Sequence, residues 1–173
     1  YKLRLKGVRG NAFRLIKANL EKYMRRMGIM SNEERWFFEV MLGLPQGAPE
    51  SCLLFNVFID DLITLLRERG CGVMVRRRRT LGLWFADDIT LSNGSVQELR
   101  LATAIIDGYC AKWKLQFSPS PRSGNLVVGP GAAQVREAIT AAKLTCTGQL
   151  LEVCKHFKYL GVWLQEDLKF SKH

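Results

Sequence analysis

Apolar positions first fall into a helical rhythm at Phe13, Ile16, Leu20, Tyr23, Met24 and Met27. This predicts an amphipathic helix over 10–27, with Gly28 as its C-cap and a basic outer face of Arg14, Lys17, Lys22, Arg25 and Arg26. A short apolar run over 36–42 predicts a strand. The stretch "GLPQGAPES" from Gly43 then breaks the pattern with glycine and proline. Leu53, Leu54, Val57, Phe58, Leu62, Leu65 and Leu66 form a wide stripe that predicts a buried helix over 49–69. Pro49 suits its first turn and Gly70 its stop.

Further along, 73–75 and 81–91 read as strands of a hairpin, with Arg76, Arg77, Arg78 and Arg79 in or beside the turn. Ser95 and Glu98 form a capping box. The helix it opens turns Leu99, Ala102, Ile105, Ile106, Tyr109 and Trp113 inward. "SPSPRSG" is a loop, 126–128 a strand and 132–142 a short helix. A second strand pair lies within 150–164, packing through Phe157, Tyr159, Leu160, Val162 and Leu164. Hairpins mixed with helices predict an α+β arrangement: an antiparallel sheet backed by helices. No repeat, low-complexity tract or linker divides the chain, so one domain over 1–173 is expected.

Composition changes this picture in one respect. The 173 residues carry a formal charge of +10, and Lys2, Arg4, Lys6, Arg9, Arg14 and Lys17 crowd the start while Arg76–Arg79 form an unbroken block. Clustered positive charge suggests a polyanionic partner, most often nucleic acid; the plain alternative is a protein kept soluble by its charge. No apolar run approaches the roughly 20 residues of a membrane span, so no membrane partner is expected. Five cysteines with no C-x-x-C argue against a disulfide framework and for a reducing, intracellular compartment. Cys154 and His156 lack the further ligands that zinc requires.

Two adjacent aspartates, Asp87 and Asp88, interrupt the apolar stretch "GLWFADDITLS". Aspartate is common in turns, and an Asp–Asp pair alone is weak evidence for more. At a strand end or hairpin bend, however, such a pair holds hard divalent cations, which prefer oxygen ligands shared with substrate phosphates. Two such ions roughly 4 Å apart clamp the attacking and leaving oxygens of a phosphoryl transfer.

"FADD" between apolar strands resembles the catalytic signature of reverse transcriptases. "GLPQGAPESCLLFNVFIDDLI" resembles that family's Pro-Gln-Gly loop and the helix after it, and "FKYLGVWL" resembles its Tyr-Leu-Gly hairpin. Phe85, the "LLFNVFIDDL" helix and the final "EDLKFSKH" resemble the non-LTR (LINE-like) retrotransposon branch. The resemblance implies a palm of antiparallel strands backed by helices, with part of the fingers and no thumb. It implies RNA-directed DNA polymerisation, with Mg²⁺ or Mn²⁺ as cofactor, and an RNA template and DNA primer as partners. Asp87 and Asp88 become the catalytic and metal-binding pair. Pro45, Gln46, Gly47 and Phe85 would line the template and nucleotide channel, and Tyr159, Leu160 and Gly161 would form the primer grip. Arg76–Arg79, Arg14 and Lys17 are candidates for the nucleic-acid backbone.

Two features depart from the family pattern. A further metal-binding aspartate is expected on an earlier strand, and none of Glu21, Glu33, Glu34, Glu39 or Glu50 suits it, nor do Asp60 and Asp61 in the buried helix. The domain is therefore expected to be truncated, with that strand before Tyr1, the thumb beyond His173, and the missing parts on the same or another chain. Where relatives carry a lysine, "FSPSPRS" has Pro121 and Arg122, and arginine does not readily donate a proton. An inactive remnant serving a ribonucleoprotein as an RNA-binding or structural component is the alternative. An RNA-recognition domain ranks last, because Asp87 and Asp88 would repel phosphate from its sheet.

Overall fold

The computed structural model describes residues 1–24, 27–30, 35–38, 43–45, 47–116 and 123–168. Contacts divide the chain into two compact units, Tyr1–Asp60 and Asp61–His173. In chain order the elements are α1 (Lys2–Leu5), α2 (Gly10–Met24), β1 (Met27–Met30), β2 (Arg35–Phe38), α3 (Pro49–Glu68), β3 (Val73–Val75), β4 (Arg78–Thr80), β5 (Gly82–Phe85), β6 (Asp88–Leu91), α4 (Val96–Trp113), β7 (Asn125–Leu126), α5 (Ala132–Ala142), β8 (Thr145–Cys146), β9 (Gln149–Leu150), β10 (Val153–Cys154), β11 (His156–Tyr159) and β12 (Val162–Gln165). The mixture of helices and strands is α+β, as the hydrophobic pattern predicts.

In the first unit, α2 half-buries Phe13, Ile16 and Leu20, the predicted stripe. It stops at Met24, short of the expected Met27. Gly28 is no helix cap: it lies in β1, opposite Phe37 of β2. The strand expected over 36–42 is present as Arg35–Phe38, and 39–42 lie outside the described residues. Two lysines of the basic start turn toward α3. The Lys2 ammonium donates to the Phe58 carbonyl and sits 4.2 Å from the centre of the Phe58 ring, and Lys6 pairs with Asp60. Leu53, expected in the buried stripe, is 66% exposed, whereas Leu54 and Ile59 are buried.

In the second unit, Leu62 and Leu66 of α3 are buried and the helix ends in a Schellman motif. Cys71 N–H donates to the Leu66 carbonyl at 3.0 Å and Gly70 N–H to Arg67 at 3.0 Å, with Gly70 at φ 74°. The capping box of α4 forms: Ser95 Oγ accepts from Glu98 N–H at 3.1 Å, while the Glu98 carboxylate reaches back to Gly94 N–H at 2.9 Å. Ala102, Ile106 and Tyr109 on α4 are buried as expected. Leu160 and Val162, expected among the packing residues, are exposed.

The strands do not join into one sheet. Among the described residues they form six two-stranded ladders. Five are antiparallel, and β10 pairs with β7 in parallel. The strand expected over 81–91 is itself a hairpin, β5–β6, while β3–β4 is a separate one. The single strand expected over 126–128 is shorter, at Asn125–Leu126.

Cys71, Cys110 and Cys146 are buried and Cys52 is exposed. Burial first, then the Asp107 carboxylate, pushes the Cys146 thiol up from 9.0 to about 12. Keeping this thiol neutral favours the folded state fully below pH 9, and that contribution is lost as the pH rises towards 12. Iodoacetamide at pH 8 should therefore modify Cys52 in the native protein and reach Cys146 only on unfolding. Peptide mass mapping checks this, and early labelling of Cys146 would contradict the packing of α4 on β8.

Candidate functional site

The site is built on a two-residue hairpin connection. In β5–β6 the register sets Gly82 opposite Leu91, Leu83 opposite Thr90, Trp84 opposite Ile89 and Phe85 opposite Asp88. Only Ala86 and Asp87 remain for the bend. Because side chains alternate along a strand, Leu83, Phe85, Asp88 and Thr90 share one face, and Trp84 and Ile89 the other. The first face is open: Leu83 is 59% and Phe85 60% exposed. Trp84 and Ile89 are half-buried. Phe85 is thus not a core aromatic, and it stands directly across the ladder from Asp88.

Asp87 and Asp88 are both exposed. Among the described residues neither carboxylate has a hydrogen-bond or salt-bridge partner. The chain's other Asp–Asp pair makes the contrast. Asp60 is taken by Lys6, and Asp61 accepts from the buried Tyr109 hydroxyl at 2.7 Å. Burial, with the Asp61 carboxylate beside it, raises the Tyr109 phenol far above its ordinary value and keeps it a donor. One pair is spent on holding helices, while the other is left available at a bend.

That bend is strained. Ala86 has φ 50°, a left-handed conformation that costs a residue with a Cβ about 1–2 kcal/mol. Ala86→Gly should raise stability by about 0.5–1 kcal/mol, since relief of the Cβ clash outweighs glycine's greater freedom in the unfolded chain. Urea denaturation measures this, and a loss of stability would count against the bend geometry.

A second hairpin meets the first. Tyr159, at the end of β11, donates its hydroxyl to the Asp88 carbonyl at 3.4 Å. Desolvation and the Asp88 carboxylate raise its phenol above the ordinary value, so it stays protonated. Tyr159 pairs with Val162, leaving Leu160 at φ 47° and Gly161 at φ 87° to form the turn. Of the residues singled out in the sequence, Phe85, Asp87, Asp88 and Tyr159 are therefore brought together, with Leu160 and Gly161 at the adjoining turn.

Pro45 and Gly47 belong to the first unit. The Pro45 carbonyl accepts from Ser51 Oγ at 2.6 Å, which ties the loop to the first turn of α3. Gly47 has φ 83°, a conformation natural to glycine. Gln46 lies outside the described residues. Lys17 pairs with Glu21 at 3.6 Å along α2. Arg14 reaches the side chain of Asn11, also on α2. Arg79 is also engaged: its guanidinium donates to the Gly70 carbonyl at 2.5 Å and to that of Gly72 at 2.9 Å. Sequence reasoning did not single out Ser51, Ala86 or the anchoring role of Arg79. A hydroxyl four residues after the Pro-Gln-Gly loop was the available signal for Ser51; nothing marked the other two.

Residues 9–164 match the family model described as reverse transcriptase (RNA-dependent DNA polymerase). The chain belongs to the reverse transcriptase family. It is also similar to the probable RNA-directed DNA polymerase from transposon BS of Drosophila melanogaster, 26% identical over 137 residues. That similarity covers 76% of this reverse transcriptase chain and 14% of the Drosophila protein. The family match runs through the Pro-Gln-Gly loop, the FADD hairpin and the Tyr-Leu-Gly hairpin, so the reverse transcriptase motifs and the exposed aspartate bend fall on the same residues. Among the described residues no helix is long and apolar enough to cross a membrane.

Proposed function

We propose that the chain forms the palm, with part of the fingers, of a non-LTR-type retrotransposon reverse transcriptase that extends a DNA primer along an RNA template. The observation that carries this reading is the exposed bend beside Tyr159, where, among the described residues, the carboxylates of Asp87 and Asp88 have no hydrogen-bond or salt-bridge partner.

The donor set fits a hard divalent cation, because carboxylate oxygens are the ligands that Mg²⁺ and Mn²⁺ prefer. When bound, such ions supply Lewis acidity to the phosphoryl group and to the primer hydroxyl. Asp87 and Asp88 hold the charge that positions them. Leu83 and Phe85 offer an apolar surface on the same face, against which a base or sugar packs beside the reacting atoms. Tyr159 holds the Asp88 backbone by its carbonyl, fixing the bend from the outside. Pro45 and Gly47 are read as lining the template channel, and Leu160 and Gly161 as touching the primer.

Among the described residues no group of three or more His, Cys, Asp or Glu side chains is placed to hold a metal. The reading draws the remaining oxygen ligands from substrate phosphates and from one further carboxylate. The test is primer extension by the full-length protein on an RNA template. DNA synthesis should require Mg²⁺ or Mn²⁺ and stop with EDTA. Tight nucleic-acid binding with no synthesis in either metal would sink the polymerase reading.

A further inference from the structure

We infer that the β3–β4 hairpin is a nucleic-acid-gripping arm, in which Arg76, Arg77 and Arg78 contact phosphates while Arg79 serves only as the arm's anchor. The inference rests on the nucleic-acid reading above and divides an arginine block that the sequence presents as uniform.

The root of the arm is rigid. Arg79 binds the Gly70 and Gly72 carbonyls at the end of α3, where exposed carbonyls and the helix dipole both favour a cation. Gly72 has φ 101° and lies so close to β4 that an added Cβ would stand 2.6 Å from the Thr80 carbonyl oxygen. Cys71 beside it is buried.

The tip is different in kind. Val75 pairs with Arg78, so Arg76 and Arg77 form the whole bend, at φ 56° and 138°. Those are positions where asparagine and glycine fold a hairpin with least strain. Two arginines there oppose the local backbone preference, and strain of this kind collects at functional sites. Arg76, Arg77 and Arg78 are all exposed, and among the described residues none of their side chains has a hydrogen-bond or salt-bridge partner. Three cations on a tip held from its root suit the evenly spaced charges of a phosphodiester backbone.

The test is the salt dependence of binding by the full-length protein to an RNA–DNA primer-template. The double variant Arg76→Asn with Arg77→Gly should bind more weakly. Its plot of log affinity against log salt should be shallower by about 1.4–1.8, from the loss of two phosphate contacts. It should also resist urea better than the wild type, which rules out misfolding as the cause. Arg79→Gln should lower thermal stability and leave that slope unchanged. An unchanged slope in the double variant would overturn the inference while leaving the polymerase reading intact. Absent primer extension with a shallower slope would do the reverse. Loss of binding to anionic phospholipid vesicles with nucleic-acid affinity retained would also overturn it, in favour of a membrane surface.

Discussion

Asp87→Asn in the full-length protein should lower primer extension by about a thousandfold or more, which is about 4 kcal/mol of transition-state stabilisation. Asparagine keeps the size of the side chain and removes its charge. One neutral oxygen is a much poorer ligand for a hard cation than a carboxylate. The fall should appear in kcat, because the charge on the attacking and leaving oxygens that the ions clamp changes only as the reaction proceeds to the transition state. Stability should be unchanged, since Asp87 is exposed and, among the described residues, has no partner to lose. Primer-template affinity measured without metal should hold or rise, because a negative charge has left the nucleic-acid face. Asp60→Asn and Asp61→Asn supply the contrast, because their carboxylates serve Lys6 and Tyr109. Those changes should reduce thermal stability and spare the chemistry. Retention by Asp87→Asn of more than a tenth of the wild-type kcat would place the metal site elsewhere.

Gly82→Ala should destabilise the protein by about 3–5 kcal/mol, a large share of the 5–15 kcal/mol that holds a domain folded. A Cβ on Gly82 would stand 1.9 Å from the Thr90 carbonyl oxygen and 2.8 Å from its carbon. Both are backbone atoms of the partner strand and cannot swing aside as a side chain does. The backbone at Gly82 has φ 144°, which adds strain for any other residue. The expected fall in Tm is roughly 10 °C for a chain of this size. Gly108→Ala is the control. Gly108 lies within α4 with nothing inside 4 Å of an added Cβ, and alanine there should stabilise by about 0.5–1 kcal/mol. Equal effects at the two glycines would show that β5 and β6 do not approach as described.

What the sequence made legible follows from where the information lies. The helices were readable because their signals are local: Ser95 and Glu98 open α4, Gly70 ends α3, and 132–142 matches α5 residue for residue. The aspartate bend was half legible. A run such as 81–91 satisfies the requirements of a strand, and only the register shows that it folds back at Ala86. Leu53 and Leu160 were misjudged because an apolar residue on a regular stripe is buried only if something covers it, which periodicity does not encode. The division of labour between the two Asp–Asp pairs lay beyond reach for the same reason. Lys6 is 54 positions from Asp60 and Tyr109 is 48 from Asp61, so no local pattern marks either partnership.

The two-residue connection between Phe85 and Asp88 makes spacing as constrained as chemistry. Loss of the Ala86 codon would leave the reading frame and both aspartates untouched. The shortened loop would close with Asp88 across from Trp84, because a slip of one place turns a strand's side chains over. A carboxylate would then point at a half-buried indole instead of at the open face. Such an allele, intact by any inventory of its acidic residues, would behave as a null.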